Sequence, residues 1–505
     1  MKPLALELLD IQGLLRHGYP YFHDAAYCLF TIEDVQAFGG WLRALRKDWI
    51  DEAYARKATL EEEHFGAAIA FAANGLRKLG LKDDAMCTFP AEFQEGMVAE
   101  HRSRMLGDVG TSAPLAWEWG GDVKSKGNPK DEDLHGVVMV FSLDKSQVVD
   151  RANALKSVPQ LLLDQRLRAL QNIQGHPKFV REIRTHLAID PKTKASLEPF
   201  GFADGLSQPY IEGLTLKKAP QGVRTIRAGE FVLGYLNEVN RLPGSPSVRG
   251  PCVLPPDPAT GRGDLGRNGS FLVMRQLEQD VAAFNKLVDS NDLLAAQVVG
   301  RWRSGEPLVR YPTKKPEPKL DEKRLELDRR HKPREQTPKE FEAENDFGYH
   351  HEDRYGFSCP LGSHIRRANP RDALADGLGI EPIEAQALVD QHRILRRGRV
   401  YTTADGKKTG LVFICLNANI ERQFEFVQSS WLLNPEFGGL SDERDPILGP
   451  GGHITLQKPV LGQCVEGLQQ YVTVKGGAYF FLPGITALKY LELLANPSLP
   501  PSPAP

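Results

Sequence analysis

The densest group of chemically useful side chains lies in residues 357–399, which open FSCPLGSHIRRANPRDA and close QHRILRRGR. His364 is followed by Arg366, Arg367 and Arg371, and further on by Arg393, Arg396 and Arg397. Asn369 and Pro370 mark a turn between the two sets. A neutral imidazole nitrogen binds a transition metal, and guanidinium groups form charge-assisted hydrogen bonds to carboxylates. The run GLVFICLNANI, residues 410–420, reads as a buried strand. One imidazole, converging cations and an apolar strand make a wall suited to an anionic, mostly apolar cofactor, and haem has that character. Taken alone, arginine runs are more often solvated or salt-bridged, and a single histidine is more often structural.

A second pattern, GFADGLSQP from Gly201, places Asp204 between glycines. A bare Asp-Gly is ordinarily a turn. Glycine on both sides also lets backbone pass close to a flat ligand, because it carries no side chain and tolerates positive φ. Further runs are GEFVLGYLNE from Gly229, GRNGSFLVMRQLEQD from Gly266, IERQFEFVQ from Ile420 and VKGGAYFFLPGITAL from Val474. Taken in this order with SHIRRANPR and ILRRG, these segments closely resemble the dye-decolourising peroxidase family over most of the chain. The resemblance implies an α+β fold: two ferredoxin-like domains with antiparallel sheets, of the dimeric α+β barrel type. It also implies haem b (iron protoporphyrin IX) as cofactor, with hydrogen peroxide and bulky aromatic or phenolic electron donors as partners.

Carried over residue by residue, the resemblance makes His364 the axial ligand to haem iron. His350, His351 and His392 are nearby but stand outside the motif. Asp204 becomes the distal acid–base group and Arg396 the distal cation, with Arg397 in reserve. Arg367, Arg371 and Arg396 are expected at the cofactor, and Leu411 and Phe413 on the following strand as apolar pocket residues. The family often carries PYG after RRG; here Val400-Tyr401-Thr402 stands in its place. A carboxylate usually holds the proximal histidine in this family, yet spacing back from Gly477 lands on Gln470. Trp117 and Trp119 are open to a role as surface oxidation sites or to simple packing. The alternative to a peroxidase is a non-catalytic haem-binding or iron-release protein, for which an acid paired with a distal cation has no use.

The chain has 505 residues, 41% of them hydrophobic and 25% charged, enough for two or three domains. A formal net charge of -2 argues against a general nucleic-acid binder. The six cysteines show no CxxC spacing and read as thiols. GRGDLGRNG lacks the Lys-Ser/Thr ending of a phosphate loop. No basic start leads into an apolar run, and no apolar stretch is long enough to span a membrane. The expectation is a cytoplasmic protein with no membrane insertion, its assembly into a homo-oligomer left open.

The elements that must position these groups follow from periodicity. Residues 25–32, 135–143, 181–189, 231–235, 270–276, 412–416 and 471–482 read as strands. Residues 34–46, 147–172, 277–293 and 374–393 read as mostly helical, with Pro159 a break. The apolar, small-residue run 67–73 reads as part of a helix with the NGLRKLGL that follows. The expected organisation is an N-terminal ferredoxin-like domain over 1–195 and a GxxDG segment with crossover linker over 196–228. A C-terminal haem-binding ferredoxin-like domain then covers 229–498, and 499–505 form a loose tail. Residues 311–345 interleave Lys, Arg, Asp and Glu and read as a charged insertion.

Overall fold

The computed structural model describes residues 5–19, 22–50, 65–121, 128–142, 161–190, 195–215, 218–220, 223–250, 252–289, 291–313 and 345–499. Nearly all of the charged insertion and of the C-terminal tail lie outside these residues. So does the first part of the expected helix 147–172.

Nine strands form the main sheet: β1 (Asp24–Thr31), β2 (Phe65–Phe71), β3 (Gly136–Ser142), β4 (Lys178–His186), β5 (Ser270–Gln279), β6 (Leu395–Arg396), β7 (Arg399–Thr402), β8 (Thr409–Asn417) and β9 (Val472–Leu482). Their order is β5-β9-β2-β3-β1-β4-β7-β8-β6, and β8 also pairs β5 from Phe271–Asn417 to Glu278–Gly410. Every pairing among them is antiparallel. The first four strands lie together as β2-β3-β1-β4, and four of the later ones as β7-β8-β5-β9. These two sets meet at two seams, each of one residue pair: Phe481 with Phe71, and Val400 with His186.

The strands are apolar on both faces because both faces are covered. In β1, Ala26, Cys28 and Phe30 enter one core with Trp41, Leu42, Leu45, Leu488 and Leu491 from helices α1 (Val35–Asp48) and α7 (Ile485–Ala495). Their neighbours Ala25, Tyr27 and Leu29 enter a second core with Met139, Met274, Ile414 and Phe480. Asp34 starts α1 by accepting a hydrogen bond from Ala37 N at 3.0 Å, an N-cap that satisfies one of the helix's free donors. Glu492 of α7 pairs with Arg46 of α1, so these two helices are tied as well as packed.

The remaining helices needed here are α2 (Leu161–Gln171), α3 (Val281–Val288), α4 (Asp292–Val299), α5 (His364–Ala368) and α6 (Pro382–Asp390). The expected helix over 277–293 is two helices, because β5 runs on to Gln279 and Asp289 takes a left-handed turn at φ 40° after α3. The run 67–73 is strand rather than helix: β2 is buried on both faces, and the helix begins only at Ala73. Its small alanines suit a strand with close neighbours on either side. The expected strand over 231–235 is a series of turns that packs Phe231 and Val232 into the second core. After β8 the chain coils through residues 421–432 in a π-helical stretch, with Glu425 N bonded to Ile420 O and Leu433 N to Gln428 O, both five residues back. Among the described residues no helix is long and apolar enough to cross a membrane.

Candidate active site

His364 opens the short helix α5, and three local features fix its place. Ser363 donates its hydroxyl to Gln297 O at the end of α4. Gly362 leaves room for the Glu443 carboxylate, since a Cβ there would lie 1.9 Å from Glu443 Oε1 and displace it. Gly300, at φ +101°, lets Ile365 sit against the end of α4, where a Cβ would come within 2.4 Å of its Cγ1. Behind His364 stands Asp445, with Oδ2 2.9 Å from His364 Nδ1. The other oxygen, Oδ1, accepts from Ile447 N at 3.0 Å and Leu448 N at 2.8 Å. Nδ1 is therefore the protonated nitrogen, and Nε2 is left to face outward. Burial would raise the pKa of Asp445, but the charge and hydrogen bond of His364, with the N–H of Leu448, hold it below the usual carboxylate range. Burial would lower the pKa of His364; the charge of Asp445 and the bond to it outweigh burial and raise it.

Asp445 answers the question that Gln470 raised. Gln470 bonds Thr111, Ser112 and Val472, none of them the histidine. The carboxylate comes instead from the loop that follows the π-helical stretch, in the run DERDPILG.

His364 lines a cavity of about 1060 Å³. Its side chain is 27% exposed, and that exposure is to the cavity. Such a volume is at the upper end of what cofactor pockets occupy, roughly 300–1,000 Å³. Asp204, Arg371, Arg396, Leu411 and Phe413 line it too, so the structure brings together six of the seven expected site residues. Arg367 is the exception. It is fully buried behind the wall, where it donates to the carbonyls of Trp431, Asn434 and Glu443 and ties α5 to the end of the π-helical stretch. Arg397 turns away as well, donating to Leu14 O and Leu15 O.

The segment that carries Asp204 is strapped at both ends. Asp204 N donates to Ser196 O at 2.7 Å, and Asp204 Oδ1 accepts from Gly205 N at 2.6 Å. Arg396 donates to Leu206 O at 2.6 Å, and Gln208 bonds both the N–H and the carbonyl of Arg396. No ion pair joins Asp204 and Arg396. Leu411 and Phe413 lie one pleat apart on β8, opposite Leu277 and Arg275 of β5, and present one face to the cavity.

Two arginines that sequence reasoning did not place in the site complete one end of it. Arg301, Arg371, Arg393 and Arg396 all line the cavity, and none of them forms an ion pair with a carboxylate among the described residues. Arg371 and Arg393 both donate to Ser207, at 3.2 Å and 2.8 Å. Burial pushes Arg301 and Arg393 down to about 10; neighbouring arginines push the same way, and Asp390 opposes at Arg393. Arg393 was visible in the run QHRILRRGR, but nothing around Arg301 in VVGRWRSGE marks it as a ligand.

Two of the other histidines have partners of their own. His392 gives its Nδ1 to Arg422 O and stacks on Phe426 at 4.0 Å, while His350 lies 3.4 Å from Asp376. Trp117 and Trp119 are not on the surface: they are 1% and 0% exposed and donate to Ser112 O and Gln276 Oε1.

The donor set fits haem. Among the described residues no group of three or more His, Cys, Asp or Glu side chains could hold a bare metal ion. A single oriented imidazole suits a metal that brings its other ligands with it. Arginines without carboxylate partners at one end suit an anionic edge, and the apolar faces of Leu411, Phe413 and Val474 suit a macrocycle.

Residues 10–178 match the family model described as DyP dimeric alpha+beta barrel domain. The chain is 27% identical over 517 residues to a dye-decolorizing peroxidase of Exidia glandulosa, covering 95% of this chain and 86% of that one. It is 30% identical over 329 residues to the multifunctional dye peroxidase DyP2 of an Amycolatopsis species, covering 58% of this chain and 61% of that one. Among solved structures, an ancestral D-type dye decolorizing peroxidase superposes with a TM-score of 0.71 at 28% identity, covering 96% of this chain and 99% of that one. Over nearly its whole length, then, this chain is similar to dye-decolorizing peroxidases in sequence and in fold.

Proposed function

We propose that this chain is a haem b peroxidase that reduces hydrogen peroxide and oxidises bulky aromatic or phenolic donors. The observation that carries the reading is the convergence on one cavity of an oriented imidazole, His364 held by Asp445, with a carboxylate, Asp204, and a guanidinium, Arg396. Haem, when bound, supplies the redox centre that takes oxidising equivalents from peroxide and gives them to donors one electron at a time. His364 would hold it through Nε2, and Arg301, Arg371 and Arg393 would face its carboxylates. Asp204 takes a proton from one peroxide oxygen and returns it to the other, which leaves as water. Arg396 cannot act as a base; it stabilises the negative charge that develops as the O–O bond breaks. Leu411 and Phe413 keep bulk water from that space. A haem carrier would have no use for the acid–base group Asp204 paired with the cation Arg396.

The sheet order supports the finer fold reading. Each half runs strand, helix, strand, strand, helix, strand, and in each the four strands lie in the order second, third, first, fourth. That is the ferredoxin-like pattern. Two such units over 1–195 and 229–498, joined through 196–228 and edge to edge at the two seams, make a dimeric α+β barrel within one chain.

The test is stopped-flow absorption of the haem-loaded protein mixed with peroxide, with an aromatic donor added afterwards. A rapid spectral change that the donor reverses is the expected result. Haem uptake with no peroxide-dependent change and no donor oxidation would leave only the carrier reading.

A further inference from the structure

Glu198 lies six residues before Asp204 and lines the same cavity. Three donors converge on its two oxygens. Phe202 N donates to Oε1 at 2.9 Å, Phe200 N to Oε2 at 3.0 Å, and Gln279 Nε2 to Oε2 at 2.9 Å. The first two belong to the turn that leads into Asp204; the third comes from β5. Backbone bonds close the same turn, from Glu198 N to Phe202 O at 3.0 Å and from Gly201 N to Glu198 O at 2.8 Å. On its other side the turn is held by Arg303, which donates to Phe200 O and lies over the Phe202 ring at 4.9 Å. No cation pairs with Glu198 among the described residues, so its carboxylate serves backbone and amide donors.

We infer that Glu198 is a positioning residue for Asp204, and that it works only as a carboxylate, clamping the Asp204 turn to β5. The donor count requires this. A carboxylate accepts at both oxygens, whereas a glutamine of the same shape has one acceptor and one NH2. Turned one way, that NH2 meets Phe202 N–H; turned the other, it meets Phe200 N–H and the Gln279 amide. Either way a buried donor faces a donor. Burial and the nearby charge of Asp204 raise the pKa of Glu198, and the three N–H bonds oppose them. The inference rests on the peroxidase reading for what Asp204 does, but the clamp itself does not.

The test uses the haem-loaded full chain. Glu198→Gln is expected to slow the second-order reaction with peroxide by about 10²-fold, the cost of displacing a reacting group by about an ångström. In an Asp204→Asn background the same change is expected to cost less than about twofold, because a residue acting through Asp204 has nothing left to position. Gln279→Leu, which keeps the carboxylate and removes one donor, is expected to give a smaller loss that also vanishes in that background. Amide hydrogen exchange at Phe200, Phe202 and Asp204 is expected to quicken in Glu198→Gln with and without haem. Equal losses in both backgrounds, or parent rates in Glu198→Gln, overturn the inference. If the parent protein takes up haem but ignores peroxide, the peroxidase reading and the role of Asp204 fall together. The exchange data then decide the clamp alone, and unchanged exchange overturns it.

Discussion

Asp445 Oδ2 stands 2.9 Å from His364 Nδ1 across 81 residues of chain, and the carboxylate is itself fixed by the N–H groups of Ile447 and Leu448. The imidazole therefore has one tautomer and one ring orientation before any ligand arrives. Partners of this kind around a metal ligand are worth about 10–100-fold in metal affinity or activity. Asp445→Asn is expected to weaken haem binding within that range and to lower the frequency of the iron–histidine stretch in resonance Raman spectra of the reduced protein. An unchanged frequency with unchanged affinity would mean that Asp445 only packs the loop.

His364→Ala removes the cavity-lining imidazole that Asp445 orients. Haem retention on a desalting column should drop sharply, and the iron–histidine band should vanish from what remains. Persistence of that band would point to His392, which lines the same cavity but is bonded to Arg422 O and stacked on Phe426.

Asp204 and Arg396 share the cavity without an ion pair, so each can be removed without stranding the other. Asp204→Asn should keep haem and slow the bimolecular peroxide step by about 10²–10⁴-fold, the usual worth of a positioned acid–base group. Arg396→Leu should slow it by about 10²–10³-fold through lost charge stabilisation. Stopped-flow rates at several peroxide concentrations separate the two. Parent rates in both variants would reject the distal assignment; slowing in the arginine variant alone would leave Asp204 as a structural residue.

The arginine cluster predicts effects of opposite sign with and without cofactor. Arg393 is half-buried at the cavity wall, and among the described residues its side chain bonds Ser207 O and pairs with no carboxylate. Asp390 offsets only part of the cost of burying that charge, and Arg371 and Arg396 add to it, so without a bound anion the charge costs stability. Arg393→Met should leave the haem-free protein as stable as the parent or more so, and should cost the haem complex about 1.5–3 kcal/mol of affinity. Denaturant unfolding with and without haem measures both. A variant that destabilises the haem-free protein as much as the complex would make Arg393 a structural cation.

How much of this was legible in the sequence depends on where each contact lies along the chain. His364, Asp204 and Arg396 sit in short runs whose neighbours serve the same local turn or helix, so the family resemblance carried by those runs points to them. Asp445 is reached only because the π-helical stretch and its loop fold back over α5, and no spacing rule from β9 leads to it. Arg301 lies in an unremarkable turn after α4 and joins the site through tertiary packing alone. Arg367 shows the reverse case: its place in SHIRR suggests a ligand contact, but a five-residue helix turns it away from the cavity onto the carbonyls of Trp431, Asn434 and Glu443. The strand Phe65–Phe71 reads as helix because burial on both faces erases the alternation that marks a strand.

The seam at His186 sets a limit on acid stability. Val400 and His186 are the only paired residues joining β4 to β7. His186 faces His23, with ring centroids 6.4 Å apart, and stands near Asp24 and Arg399. Burial lowers its pKa below the ordinary 6.5; His23 and Arg399 push the same way and Asp24 opposes. The unfolded chain therefore binds a proton here that the folded chain resists, so stability is full above about pH 6.5 and falls as pH drops through the folded value. His186→Gln removes that titration. Unfolding midpoints of the haem-free protein at pH 7 and pH 5 should fall further in the parent than in the variant. Parallel losses would show that the seam does not sense pH and that acid lability arises elsewhere, in groups such as His135 or His392 whose burial also lowers their pKa.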